Sequence, residues 1–164
     1  MRILVLGVGN ILLTDEAIGV RIVEALEQRY ILPDYVEILD GGTAGMELLG
    51  DMANRDHLII ADAIVSKKSA PGTMMILRDE EVPALFTNKI SPHQLGLADV
   101  LSALRFTGEF PKKLTLVGVI PESLEPHIGL TPTVEAMIEP ALEQVLAALH
   151  ESGVEAIPRE AIHD

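Results

Sequence analysis

Two carboxylates and an imidazole, those of Glu16, Asp62 and His93, lie far apart along this chain, yet their local settings mark them as one candidate set of ligands. Glu16 opens the first helix in the run GVGNILLTDEAIGV, Asp62 ends a buried strand in HLIIADA, and His93 opens another helix in SPHQLGL. Oxygen donors with one ring nitrogen suit a divalent transition metal and leave coordination positions open. The positive end of a helix disfavours imidazolium, and neutral imidazole is the form that binds metal. Each residue also has an ordinary reading. Acids in a first helical turn interact well with the macrodipole, by about 0.3–1 kcal/mol. Asp62 can simply satisfy a loop amide at a strand end, and His93 can be an exposed helix-start residue. Only a topology that gathers all three separates these readings.

Other residues compete for the same rim. Glu122, Glu125 and His127 lie in PESLEPHIGLTP, where His127 reads either as a fourth ligand or as an incidental loop histidine. Asp40 leads into Gly41, Gly42 and Thr43. It reads either as a catalytic carboxylate that activates water or positions a peptide, or as an Asx-turn stabiliser. His57 precedes a strand at the opposite rim, and His150 and His163 read as solvated surface. A dinucleotide site is a weaker reading of GVGN. Leu12 stands where the third fingerprint glycine belongs, and Asp15 with Glu16 would repel a pyrophosphate at that helix end. The same charge attracts a cation.

The elements that must bring Glu16, Asp62 and His93 together follow from alternating apolar strands and helical periodicity. Residues 3–7 read as the first strand. Thr14 then reads as the N-cap of a helix burying Ile18, Ile22, Ala25 and Leu26. Residues 36–40 and 57–61 are further strands, with a short helix around 46–52. Between residues 63 and 72 there is no room for a crossover helix, so 73–77 is expected as an antiparallel edge strand. A loop over 79–91 recrosses the sheet. Ser91, Pro92 and Gln94 then read as N-cap, first helical position and the far half of a capping box. That helix runs to about Leu104 and feeds a parallel strand at 114–119, which places His93 at the rim shared by Glu16 and Asp62. The last helix is capped by Thr131 and Pro132, kinked by Pro140, and followed by a loosely held tail from Gly153. The expected fold is one α/β domain over residues 1–164. It is a three-layer sandwich with a twisted, five-stranded, mostly parallel sheet, one antiparallel edge strand and helices on both faces.

Composition narrows the chemistry further. The chain is 48% hydrophobic but only 3% aromatic, so its core must be aliphatic. A formal net charge of −13 makes nucleic acid and anionic lipid poor partners. The absence of cysteine removes disulfides, thiolate ligands and a cysteine nucleophile, and fits an intracellular setting. No apolar run approaches the roughly 20 residues that span a bilayer. Neither H-E-x-x-H, G-x-S-x-G nor a Walker A run occurs.

The segments GVGNILLTDEAIGV, LDGGTAG, IIADAI, SPHQLGLADVL and VGVIPESLEP together resemble the nickel–iron hydrogenase maturation endopeptidases along nearly the whole chain. The resemblance implies an aspartyl-protease-like hydrolase of the cytoplasm. Such an enzyme removes the C-terminal extension of the hydrogenase large-subunit precursor after nickel insertion. It further implies that Glu16, Asp62 and His93 contact the nickel, which arrives with the substrate as its recognition element. Two alternatives remain: a non-catalytic metal or cofactor chaperone using the same rim, and a nucleotide-dependent oxidoreductase.

Overall fold

A computed structural model describes residues 1–87 and 92–162, with the backbone alone at residues 87, 92, 93, 161 and 162. The strand β1 (Ile3–Val8) is buried along its length and leads through a 3-10 turn (Thr14–Ala17) into α1 (Ile18–Arg29). Then come β2 (Tyr30–Ile31), β3 (Val36–Gly42), a turn at Met46–Leu48, α2 (Leu49–Met52) and β4 (His57–Ala63). The chain continues through β5 (Met74–Arg78), α3 (Glu81–Thr87), α4 (Pro92–Thr107) and β6 (Lys113–Val119). It closes with α5 (Pro132–Glu135), α6 (Ile138–Glu151), β7 (Ile157–Pro158) and a 3-10 turn at Arg159–Ile162. The main sheet has the order β3-β1-β4-β6-β5, parallel except for β5, which pairs antiparallel with β6 at the edge. The expected α/β architecture is what the chain forms.

Period-two alternation decides which face each strand residue serves. Ile3 and Val5 of β1 join one apolar cluster with Ile18, Ile22 and Leu26 of α1 and Leu142, Val145 and Leu149 of α6. Leu4, Leu6 and Val8 join the opposite cluster with Met52, Phe86 and Leu97, Leu101 and Leu104 of α4. Covering both faces explains why all seven residues of β4 are buried, as a central parallel strand requires. Phe86 is the only aromatic residue among the buried hydrophobics described. Gly19 shows how tightly α1 docks: a Cβ there would stand 2.1 Å from the Ala61 carbonyl oxygen. Glycine inside a helix costs about 1 kcal/mol against alanine. That is less than displacing the helix from the sheet, so packing outweighs propensity.

Four local expectations are corrected. Within the expected 79–91 loop, Glu81–Thr87 forms α3 instead, because Val82 and Phe86 are spaced for one helical face and the helix buries both. Pro83 is no obstacle in that helix's first turn. Thr14 is not a helix N-cap: its φ is +49°, and its hydroxyl donates to the Glu125 carbonyl instead. The last helix breaks at Ala136 and Met137 rather than at Pro140, which falls in the first turn of α6 where no backbone bond is lost. The tail does not hang loose. Val154 is buried, Tyr30 and Ile31 pair with Pro158 and Ile157, and Arg159 Nε donates to the Glu27 carbonyl.

His57 lies at the opposite end of β4 from Asp62 and is fully buried. Its ring nitrogens lie 2.7 Å from Ser152 Oγ and 2.8 Å from Thr115 Oγ1. Burial, with a smaller push from Lys113, holds its pKa below the ordinary value of 6.5. As pH falls below about 6.5 the unfolded chain takes up this proton before the folded one does, so stability drops by at most about 1.4 kcal/mol per pH unit. Above that pH the group adds nothing to the pH dependence. Thermal melts between pH 7.5 and 5 are therefore expected to fall less steeply for His57→Gln than for the parent. Equal slopes would remove His57 as the cause.

Candidate active site

The site begins where β1 ends. Gly9 has φ +136°, and a Cβ there would lie 1.9 Å from the Glu16 carbonyl oxygen, so the chain folds back directly over it. Asn10 Oδ1 accepts the Leu12 N–H at 2.9 Å, and the Leu13 N–H reaches the Asn10 carbonyl at 3.1 Å. The result is a tight loop that delivers Asp15 and Glu16 onto the carboxyl ends of β1 and β4. The Thr14–Ala17 turn packs against β4, and both Asp15 and Glu16 are buried.

The neighbouring acids play different parts. Asp15 is a structural carboxylate with its partners all in the loop after β6. Its Oδ2 accepts the N–H groups of Glu122 and Ser123 at 2.9 and 3.0 Å, and its Oδ1 accepts that of Thr131 at 2.8 Å. The Thr131 hydroxyl donates to the same carboxylate. This is why Thr131 makes no side-chain cap for α5. Charge-assisted bonds of this kind are about twice as strong as neutral ones, so Asp15 clamps the 122–131 loop beside Glu16. The sequence signals acidity here but not this role, since the partners lie more than a hundred residues away.

Asp62 closes β4 and is completely buried. Its Oδ1 accepts the Ala63 N–H at 2.8 Å, and its Oδ2 accepts Gln94 Nε2 at 3.0 Å. The same amide nitrogen also donates to the Ala63 carbonyl at 2.9 Å. These bonds fix the carboxylate plane and draw the first turn of α4 onto the end of β4. Gln94 is thus an orienting partner of Asp62. Ser91, its expected capping-box partner, lies outside the described residues.

His93 precedes Gln94 in that first turn, so its backbone reaches the rim as the topology demands. Its ring, like Ser91, lies outside the described residues, as does His163. Among the described residues no three His, Asp or Glu side chains gather as a metal site, so the expected trio depends on the His93 ring. Glu122, Glu125 and His127 form no such group. His127 is an exposed loop residue whose backbone pairs with Leu12, Leu13 and Thr14.

Asp40 stands at the end of β3. In register it faces Gly7, which faces Ala61, so Asp40 and the end of β4 are separated by two strand spacings, roughly 10 Å. Its Oδ1 accepts the Gly42 N–H at 2.9 Å, with Gly42 at φ +51°, which is the Asx turn. The site therefore presents acids from the ends of β1, β3 and β4 along one edge, with the N-terminus of α4 beside them.

Comparison with known proteins bears on the family and the fold. A family model described as HycI, hydrogenase maturation protease, matches residues 20–148. The hydrogenase 2 maturation protease of Escherichia coli (strain K12) is 99% identical over 164 residues, covering all of both chains. The hydrogenase expression/formation protein HupM of Azotobacter chroococcum mcd 1 is 49% identical over 161 residues, 97% of this chain and 77% of that protein. Among solved structures, the hydrogenase maturating endopeptidase HybD from E. coli superposes with a TM-score of 0.97 at 98% identity, covering 98% of this chain and 99% of that one. A maturation protease from Thermococcus kodakarensis, 25% identical, gives 0.73 over 88% of this chain and 97% of that one.

Proposed function

Since this chain belongs to the hydrogenase maturation protease family and is an endopeptidase, we propose that it recognises its substrate through nickel already seated in a hydrogenase large-subunit precursor. Glu16, Asp62 and His93 contact that nickel, and the peptide bond cut is the one releasing the precursor's C-terminal extension. The observation that carries this reading is the bond from Gln94 to Asp62. It joins the turn bearing His93 to the strand end that packs under Glu16. Two carboxylates and a neutral imidazole form a donor set suited to a borderline divalent cation. The buried setting of the two carboxylates strengthens attraction to a positive charge.

The enzyme's own groups then divide the work. Glu16, Asp62 and His93 hold the precursor's metal-bearing end over the rim. Asp40, about two strand spacings away, takes a proton from the attacking water and returns it to the leaving amine. Gln94 keeps the Asp62 carboxylate in plane. The reaction takes place in the cytoplasm. Among the described residues no helix is long and apolar enough to cross a membrane. A non-catalytic chaperone would leave the extension attached, and membership of a protease family sets that reading aside. A nucleotide cofactor has no support, since buried Asp15 and Glu16 occupy the position a pyrophosphate would need.

The test compares precursor loaded with nickel against the same precursor prepared without it. Mass spectrometry should show the extension released only from the loaded form. Equal cleavage of both would remove nickel as the recognition element while leaving the endopeptidase activity standing.

A further inference from the structure

Beside Glu16 lies a feature that the nickel contacts do not use. Leu12 and His127 are joined by a backbone bond from His127 N–H to the Leu12 carbonyl, and the Thr14 N–H returns to the His127 carbonyl. The 10–14 and 122–131 segments thus form one paired lip, held from below by the Asp15 carboxylate. Four aliphatic residues on this lip are left in solvent: Ile11 at 42% exposure, Leu12 at 56%, Leu124 at 38% and Ile128 at 69%. Singly exposed apolar side chains need no explanation, but a group of them on one braced lip marks an interaction surface.

We infer that this lip docks an apolar stretch of the precursor polypeptide next to the bond that is cut. The inference rests on the endopeptidase reading of the adjoining rim. That rim must receive an extended chain, and the lip is continuous with it through residues 14–16. A second copy of this protein seated here would cover the working site. An anionic lipid surface is disfavoured by the net charge of −13. A polypeptide arriving at Glu16 is the occupant that uses the lip and the rim together. Because the lip is braced before binding, little ordering is lost on contact, so the aliphatic side chains contribute to binding rather than to chemistry.

The test is the double variant Leu12→Ser with Ile128→Ser, assayed on nickel-loaded precursor. KM is expected to rise about tenfold or more with kcat unchanged and Tm preserved. Phe106→Ser provides the control, since Phe106 is 92% exposed on α4 away from the lip and should leave KM at the parental value. A double variant with KM within twofold of the parent would overturn the inference. A drop in oligomeric state on sedimentation with KM unchanged would overturn it too, by showing that a second copy uses the lip. In both cases cleavage continues, so the endopeptidase reading survives; failure of the parent to cut the precursor would remove that reading instead.

Discussion

Nickel-loaded precursor is expected to remain uncut when incubated with Asp62→Ala or His93→Ala, with rates lower by more than about a hundredfold. Loss of even an outer partner of a metal ligand costs about 10–100-fold, and these residues are proposed to contact the ion itself. The concern with Asp62→Ala is stability, because it strands the Ala63 N–H in a buried place and takes from the Gln94 amide one of its two acceptors. Each unsatisfied group costs about 1–3 kcal/mol. That weakens a domain of 5–15 kcal/mol without necessarily unfolding it, so circular dichroism must accompany the assay. Asp62→Asn removes the charge while keeping the size and an acceptor for Ala63, and it should be equally inactive. Glu16→Asp should retain more activity than Glu16→Ala, since the charge is kept and only the reach shortens. Parental rates in both Asp62→Ala and His93→Ala would defeat the metal assignment.

Gly9→Ala should be the most damaging conservative change in the chain. It places an L-residue at φ +136°, a conformation costing about 1–3 kcal/mol. It also sets a Cβ at 1.9 Å from the Glu16 carbonyl oxygen, which is backbone and cannot rotate aside. A loss of at least about 3 kcal/mol corresponds to a fall in Tm of roughly 6–12 °C for a domain of this size. Whatever fold survives must move the Thr14–Ala17 turn, so processing should fail together with stability. Gly50→Ala is the contrast. Nothing lies within 4 Å of its Cβ position, and the residue sits in α2. There alanine should be neutral or stabilising by up to about 1 kcal/mol. Similar melts for the two variants would show that the turn over Gly9 tolerates more than its geometry allows.

Most of the architecture was legible because the sheet is buried on both faces and reports itself as uninterrupted aliphatic runs. The antiparallel edge strand β5 followed from chain length alone: the connection after β4 was too short for a crossover helix. Where proline was read as a kink the reading went astray, since Pro140 sits in the first turn of α6 where no N–H is needed. At the rim, residue types pointed to Asp62 and Asp40 at strand ends and to Glu16 in the turn that opens the first helix, and each is found there. The bonds that orient them were not legible. Asp15 answers to a loop more than a hundred residues away, and Gln94 to a strand 32 residues back. No local pattern encodes such pairings; they exist only once the layers have met.

The placement of β4 between β1 and β6 has a consequence for how the molecule comes into being. Its polar end is assembled from three successive crossover units, so a growing chain carries the acids well before the crevice that holds them exists. Contacts this distant in sequence form late and slowly. A ribosome-bound fragment that ends before β6 therefore carries these acids without the rim that gathers them.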